Sequence, residues 1–365
     1  MDFSSPTRAL QSLQRRRPSV SEETLQILRQ LLTNDTSSGD YLEGVSTLLH
    51  KESARWECLA VGLLLATQIL VDEAASQIDK AVYIDGPRVP EQKIDDTLTA
   101  SYRTFSSDQL SKVATWLHEA SLQYLEHNEP RVRTFVAKAV GAHATWSVSL
   151  KEGDNVDLHA AERNRVHSQI IRSIDEHIRE GRDNPEKYSK SSTGALDDTT
   201  GWRALETNWQ CLACWIASLG SNYFQVDGLD LDPLLKNLEY SAVTHVNRHV
   251  RAAAIAVLEQ LTISAGNNEK HWPLLENGSL RKANVTVLKA GLADNWSQVR
   301  MASSTAARAF LLALSEEERA KYYSLLLPPI CINRYYIAAG VRIHNQETWR
   351  LLFPEKGVQV NISRL

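Results

Sequence analysis

The side chains that could do chemistry in this chain are few and widely separated. Cys211 and Cys214 form a Cys-x-x-Cys pair, a spacing found in zinc sites and in redox sites. Zinc requires four ligands, and the other cysteines, Cys58 and Cys331, stand alone without a histidine pair beside them. A thioredoxin-like site requires a strand–helix context, whereas this segment has a helical pattern. We therefore expect two small, buried helix residues and no metal site.

The familiar catalytic motifs are absent from the sequence. It contains no GxxxxGK[ST], no HExxH, no GxSxG and no GxGxxG. No nucleophile, base and orienting group can be assembled from sequence spacing. We expect a protein that is not an enzyme and that carries no cofactor.

The composition points to helices. The chain has 365 residues with only 16 glycines and 11 prolines, fewer turn residues than a sandwich, a barrel or a Rossmann-like fold requires. Its length exceeds that of a usual single-core domain, so we expect two domains or a repeat array. The net charge of -4 argues against a surface that broadly coats nucleic acid, although a local basic patch stays possible.

Targeting signals are missing from the start of the chain. Residues 1–18 are polar and basic, without the apolar core of a signal peptide. The longest apolar stretch, residues 58–70, is interrupted by Gly62, Thr67 and Gln68, so it predicts a buried helix and no membrane insertion. Four scattered cysteines do not form a disulfide framework. These features predict an intracellular protein, cytoplasmic or nuclear.

One local pattern recurs: a polar turn, then an apolar residue and Arg, then a helix rich in Ala and Leu. Its clearest copies end at Arg133, Arg251 and Arg300, and a weaker copy ends at Arg342. Amphipathic helical stretches precede the copies, so each unit is a helical hairpin. Such a hairpin cannot bury its own apolar face and must stack on the next, at a repeat length of roughly 40–47 residues.

This pattern resembles the HEAT repeat of the HEAT/armadillo class. The resemblance implies an all-α, right-handed α-α superhelix of about six hairpins over residues 22–353. Polar insertions are expected at about 85–109 and 182–201, where the repeat spacing is too long. Residues 1–21 would form a flexible basic tail and residues 354–365 a C-terminal tail. The oligomeric state is left open.

The recurring arginines allow two interpretations. Arg133, Arg251 and Arg300 could form a basic binding stripe. In HEAT-like stacks, however, this Arg usually pairs with an Asp or Asn of a neighbouring turn. The resemblance therefore favours an internal structural ladder, with Arg300 mostly buried against a turn carboxylate or carbonyl.

The last repeat is expected to close the stack. Pro328 and Pro329 should end one helix, and Trp349 and Phe353 should cover the exposed end of the core, since a terminal repeat lacks one neighbour. The predicted core-facing residues are Leu325, Leu326, Leu327, Ile330, Ile332 and Ile337.

Partner contacts are expected in the same repeat. Arg and Tyr are enriched among the residues that dominate binding energy at interfaces, so Arg334, Tyr335 and Tyr336 are the predicted contacts. Ser19 is a candidate phosphorylation site, because the preceding arginines resemble a basophilic kinase site. The alternative for Ser19 is a chance match in a solvated basic tail.

Long helical stacks usually serve binding. The sequence therefore predicts a non-catalytic scaffold or adaptor that holds a protein partner along the solenoid groove. The alternative is a nucleic-acid- or nucleoprotein-associated HEAT protein. A continuous basic groove would favour nucleic acid, whereas a groove of mixed charge with exposed aromatics would favour protein.

Overall fold

The computed structural model describes residue 31 and residues 37–50, 56–77, 104–148, 156–183, 201–226 and 228–354. Every regular element in these ranges is helical, which confirms the all-α prediction for this part of the chain. Ser19, most of both predicted insertions and nearly all of both predicted tails lie outside the described residues.

The contacts divide the chain into two compact units, Met1–Arg165 and Val166–Leu365. The described helices up to the boundary are α1 (Ser38–His50), α2 (Trp56–Gln77), α3 (Ser107–Gln123), α4 (Pro130–Val148) and α5 (Val156–Asp183), in which the boundary falls. In the first unit α1 pairs with α2 and α3 pairs with α4, while α2 packs on α4.

The second unit repeats this arrangement with more helices. They are α6 (Trp202–Leu219), α7 (Leu231–Glu239), α8 (Arg248–Gly266), α9 (Trp272–Glu276), α10 (Ser279–Gly291), α11 (Ser297–Ala313), α12 (Glu316–Ala320), α13 (Tyr323–Asn333) and α14 (Ala339–Leu352). Three hairpins stand out: α7 with α8, α10 with α11, and α13 with α14. Their second helices pack in chain order, α8 on α11 and α11 on α14, and their first helices form a parallel row, α7 on α10 and α10 on α13.

Small residues set how closely these helices approach. A Cβ added at Gly291 of α10 would lie 2.0 Å from Ser303 Oγ of α11, and one at Gly266 of α8 would lie 2.8 Å from Ala313 Cβ. Only a residue without a side chain fits at these two crossings. The glycine and alanine content of the repeat therefore fixes the distance between adjacent helices.

The prolines of the last repeat do not end their helix. Helix α13 runs from Tyr323 to Asn333 with Pro328 and Pro329 inside it. Each proline removes one backbone donor, which normally breaks a helix interior. Here Leu327 and Ile330 are buried on either side of the pair, so packing against the core holds the helix together.

Two residues that were predicted to face the core lie on the surface instead. Ile332 is 68% exposed and Ile337 is 89% exposed. Ile332 lies in the last turn of α13, and Ile337 lies in the turn that follows the helix. Leu326, Leu327 and Ile330 are buried as predicted, and Leu325 is half-buried.

Candidate protein-interaction surface

Four turns share one arrangement of an arginine over the backbone. In each, the arginine is near the start of a second helix, and its guanidinium donates to the carbonyl oxygen six residues earlier. The contacts are Arg133 Nη1 to His127 O (2.6 Å), Arg251 Nη1 to His245 O (2.8 Å), Arg300 Nε to Asp294 O (2.5 Å) and Arg342 Nη1 to Tyr336 O (3.2 Å). The guanidinium thus satisfies carbonyl groups that the end of the first helix leaves without partners.

The residue whose carbonyl accepts from the arginine also uses its side chain in the turn, where it accepts a hydrogen bond from the backbone N–H two residues later. His127 Nδ1 accepts from the Glu129 N–H (3.1 Å), His245 Nδ1 from the Asn247 N–H (3.1 Å), and Asp294 Oδ1 from the Trp296 N–H (2.8 Å). Since a backbone N–H can only donate, both histidine Nδ1 atoms must be unprotonated. A neutral histidine therefore does in two turns what an aspartate does in the third.

His245 is partly buried in this arrangement. Burial lowers the pKa of His245 to about 4, and the positive charge of Arg251 acts in the same direction. The imidazole consequently stays neutral at physiological pH, as its role as an acceptor requires.

Contacts between successive turns join the arginines of the second unit. Arg251 binds the Asp294 carboxylate with both Nε and Nη2, each at 3.0 Å. Arg300 donates to Asn333 Oδ1 at 2.7 Å, and Asn333 in turn donates to Leu292 O at 2.9 Å. Arg300 is partly buried. These guanidinium groups are occupied by the protein itself.

The predicted partner-binding residues lie in the turn between α13 and α14. We call Ile332, Arg334, Tyr335 and Ile337 the terminal turn. Tyr335 is 76% exposed, while Arg334 is half-buried. Tyr336, also half-buried, lies with its ring 4.8 Å beneath the Arg300 guanidinium, so it contributes to the support of the turn.

Arg334 holds the terminal turn against α14. Its guanidinium lies 4.5 Å from the ring centroid of buried Trp349, and Gln346 Nε2 donates to Arg334 O at 3.2 Å. The ring centroid of Tyr335 lies 5.8 Å from the same guanidinium. Such cation–π contacts restrict the orientation of the arginine.

The second helices expose apolar side chains at equivalent positions. Met301 follows Arg300 directly, and Ile343 follows Arg342 directly; both are exposed. Near the other end of the helices, Ile263 of α8 and Leu312 of α11 are exposed at matching positions. Leu351, near the end of α14, is also exposed, although its position differs from theirs. We call these five residues the second-helix face.

Charged residues cross the middle of the second-helix face. Thr305 donates to Glu259 Oε2 at 2.8 Å, joining α8 to α11, and Arg308 forms an ion pair with Glu347, joining α11 to α14. Burial raises the pKa of Glu259, opposed by the Thr305 hydrogen bond and the charge of Arg308. The face therefore carries both signs of charge.

Buried asparagines form a recurring contact that the sequence did not reveal. Each donates its amide to the carbonyl four residues earlier and to a hydroxyl on a neighbouring helix. The pairs are Asn208 with Ser173 (3.0 Å), Asn284 with Thr262 (3.0 Å) and Asn345 with Ser304 (2.7 Å). No sequence signal identifies the hydroxyl partner, because it lies in a different helix.

Cys211 and Cys214 lie in α6, as expected for a helical pair. Cys211 is fully buried, and burial raises the pKa of its thiol, with the neighbouring Cys214 adding to this effect. A reactive cysteine requires a lowered pKa. Within the described ranges, no group of three His, Cys, Asp or Glu side chains is placed to hold a metal ion.

His167 and Tyr223 form a buried pair that packs beside α6. His167 Nε2 lies 3.1 Å from Tyr223 Oη, and the ring of Trp215 lies 6.1 Å from that of His167. Burial lowers the pKa of His167 to about 4 and raises the pKa of Tyr223. Both groups are therefore neutral at physiological pH.

The first unit contains an open cleft of about 560 Å³ between α1 and α3, lined in part by Ser46, His50 and Trp116. Ser46 Oγ lies 3.3 Å from His50 Nδ1, a contact that resembles a nucleophile with its base. His50 Nδ1, however, lies 2.9 Å from Ser46 O, which can only accept, so this nitrogen carries a proton. It cannot remove one from Ser46.

None of the described helices combines the length and apolarity needed to cross a membrane. Comparisons with family models, with curated proteins and with solved structures found no match for this chain.

Proposed function

We propose that this chain is a HEAT-type solenoid scaffold, non-catalytic, that binds a protein partner along its second-helix face and at its terminal turn. The observation that carries the proposal is the exposure of Ile332, Tyr335 and Ile337 on one short turn. Exposed apolar residues that cluster, rather than occur singly, mark interaction sites.

The terminal turn is held in one conformation by contacts with α14 and with its own backbone. Arg334 rests on Trp349, Gln346 bonds the turn backbone, and Arg342 donates to the carbonyls of Tyr336 and Ile337. A surface that is already ordered loses little conformational entropy when a partner binds.

The second-helix face extends the proposed contact. Met301 with Ile343, and Ile263 with Leu312, repeat the same exposed positions on successive helices. An extended partner could contact equivalent positions of one helix after another, which is how repeat proteins use stacked elements. The mixed charge of Glu259, Arg308 and Glu347 favours a protein over a nucleic acid, whose phosphates require a predominantly basic surface.

The proposal can be tested by affinity purification with the full chain from an extract of its own cells. Captured proteins are then purified and their dissociation constants measured against wild type and against a Tyr335→Ser/Ile337→Ser variant. Loss of two exposed contact residues should weaken binding by about tenfold or more, the range of interface hot spots.

The matched control is Val246→Ser. Val246 is exposed and precedes Arg251 by five residues, as Ile337 precedes Arg342. It should bind like wild type because its turn lies inside the stack. Equal binding by all three proteins would contradict the proposed role of the terminal turn.

A further inference from the structure

We infer that the terminal turn and the exposed side of α14 recognise an acidic segment of a partner protein that carries apolar side chains. This inference rests on the proposed function and specifies the chemistry of the partner. Its basis is a set of arginines that lie beside the exposed apolar residues. These arginines form no ion pair with a carboxylate of the described residues.

The last repeat is basic within an acidic chain. Residues 331–354 contain Arg334, Arg342 and Arg350 but a single acidic residue, Glu347, whereas the whole chain has a net charge of -4. Glu347 is already paired with Arg308 from α11. None of the three arginines of this repeat forms an ion pair with a carboxylate in the described part of the chain.

Arg342 differs in this respect from Arg251. Arg251, the equivalent of Arg342, is neutralised by two hydrogen bonds to the Asp294 carboxylate of the following turn. Within the described residues, Arg342 donates to two backbone carbonyls, at 3.2 and 3.4 Å, and to no carboxylate.

The apolar and basic groups lie on connected parts of the surface. Arg334 belongs to the same turn as Tyr335 and contacts Trp349 on α14. Arg350 follows Trp349 directly and is exposed, beside exposed Leu351. A binding segment would therefore meet isoleucine, leucine and tyrosine side chains together with guanidinium groups.

This combination distinguishes an acidic peptide from a nucleic acid. Phosphate contacts come mainly from polar and charged side chains, and Ile332, Ile337 and Leu351 would have no role in them. Arginine binds carboxylates in a bidentate manner, while the apolar residues bury the partner's apolar side chains. The guanidinium groups and the apolar side chains both contact the partner only if the partner carries acidic and apolar residues together.

The test is selection of a random dodecapeptide library on the immobilised full chain. Peptides enriched in Asp or Glu together with Leu, Ile, Phe or Trp are expected. Their affinity for Arg350→Glu should fall by about fivefold or more, because an attractive ion pair becomes a repulsive one. Arg350 makes no described side-chain contact, so this variant should fold normally.

Two further variants complete the design. Arg334→Gln removes the charge that lies on Trp349, and it should also weaken the selected peptides. A Lys282→Glu/Lys289→Glu variant changes charge at exposed positions of α10, away from the last repeat, and it should bind the peptides like wild type. Higher salt should weaken binding to the wild type.

Each other outcome overturns the inference in a distinguishable way. Peptides that lose binding with Tyr335→Ser but not with Arg350→Glu would leave the binding surface in place and refute the acidic partner. Peptides indifferent to both variants would refute the surface itself. A labelled DNA duplex is the last probe. If it binds the wild type more tightly than the peptides do, and does not bind Arg350→Glu, the surface would be assigned to nucleic acid.

Discussion

Arg251 and Asp294 are joined by two parallel hydrogen bonds of 3.0 Å, one from Nε and one from Nη2. The guanidinium also donates to His245 O and Val246 O of its own turn. The carboxylate in turn accepts from the Trp296 N–H. One ion pair thus connects the backbones of two successive repeats.

Breaking this pair should be costly because both groups are largely buried. Arg251→Met and Asp294→Ala should each lower the free energy of unfolding by about 3 kcal/mol, and the double variant should lose less than the sum. Chemical denaturation followed by tryptophan fluorescence measures this. Lys321→Ala, which removes an exposed ion pair with Glu318, is the control and should leave stability nearly unchanged. Strict additivity would contradict a direct coupling.

Stability should fall in mild acid because His245 must remain neutral in the folded state. Its folded pKa of about 4 lies below the ordinary 6.5, so its contribution is complete above pH 6.5 and is lost as the pH falls toward 4. The slope is about 1.4 kcal/mol per pH unit for one histidine. His245→Asn keeps an acceptor that does not titrate and should flatten the curve in this window.

Trp349 should act as the cover of the last repeat. It is buried, in contact with Arg334 and with Phe353 at 4.9 Å. Trp349→Ala should therefore cost roughly 3–5 kcal/mol, the range for deleting a buried aromatic. Tyr335→Ala, which removes an exposed ring, should change stability by less than about 0.5 kcal/mol. A melting midpoint that is unchanged in Trp349→Ala would refute the covering role.

The contact between Gly291 and Ser303 should not tolerate a methyl group. Gly291→Ala places a Cβ 2.0 Å from Ser303 Oγ and 3.1 Å from its Cβ, so stability should fall by about 1–3 kcal/mol. Ser303→Gly should restore part of this loss. Gly39→Ala, whose new Cβ would meet nothing closer than 3.7 Å, should be neutral or stabilising. Thermal denaturation of the three variants separates steric crowding from the general effect of alanine in a helix.

The helical class was predictable because the Val-Arg turn repeats in sequence and its consequences are local. The arginine reaches the carbonyls of its own turn, so a pattern of seven consecutive residues contains both donor and acceptor. The local pattern does not predict the helix that contains Pro328 and Pro329. Their effect on the helix depends on burial of neighbouring residues, which local sequence does not specify.

The surface was harder to predict than the hairpins. Residue type alone places Ile332 and Ile337 in the core, yet both are exposed, because residue type does not specify which neighbours a side chain meets. His245 was not recognised as a counterpart of Asp294, since the two side chains share only the ability to accept one backbone hydrogen bond. Arg334 and Tyr335 were selected by residue type, and their proposed role still awaits the binding experiments.

The arginine contacts weaken toward the C-terminal end of the second unit, and this gives the stack a mechanical polarity. Among the described residues, Arg251 is held by a carboxylate and two carbonyls, Arg300 by an amide oxygen and three carbonyls, and Arg342 by two carbonyls beyond 3 Å. Under a pulling force applied at the C-terminal end, α14 would detach first. Tension would then peel the hairpins away one at a time, against a resistance that rises as it approaches Arg251.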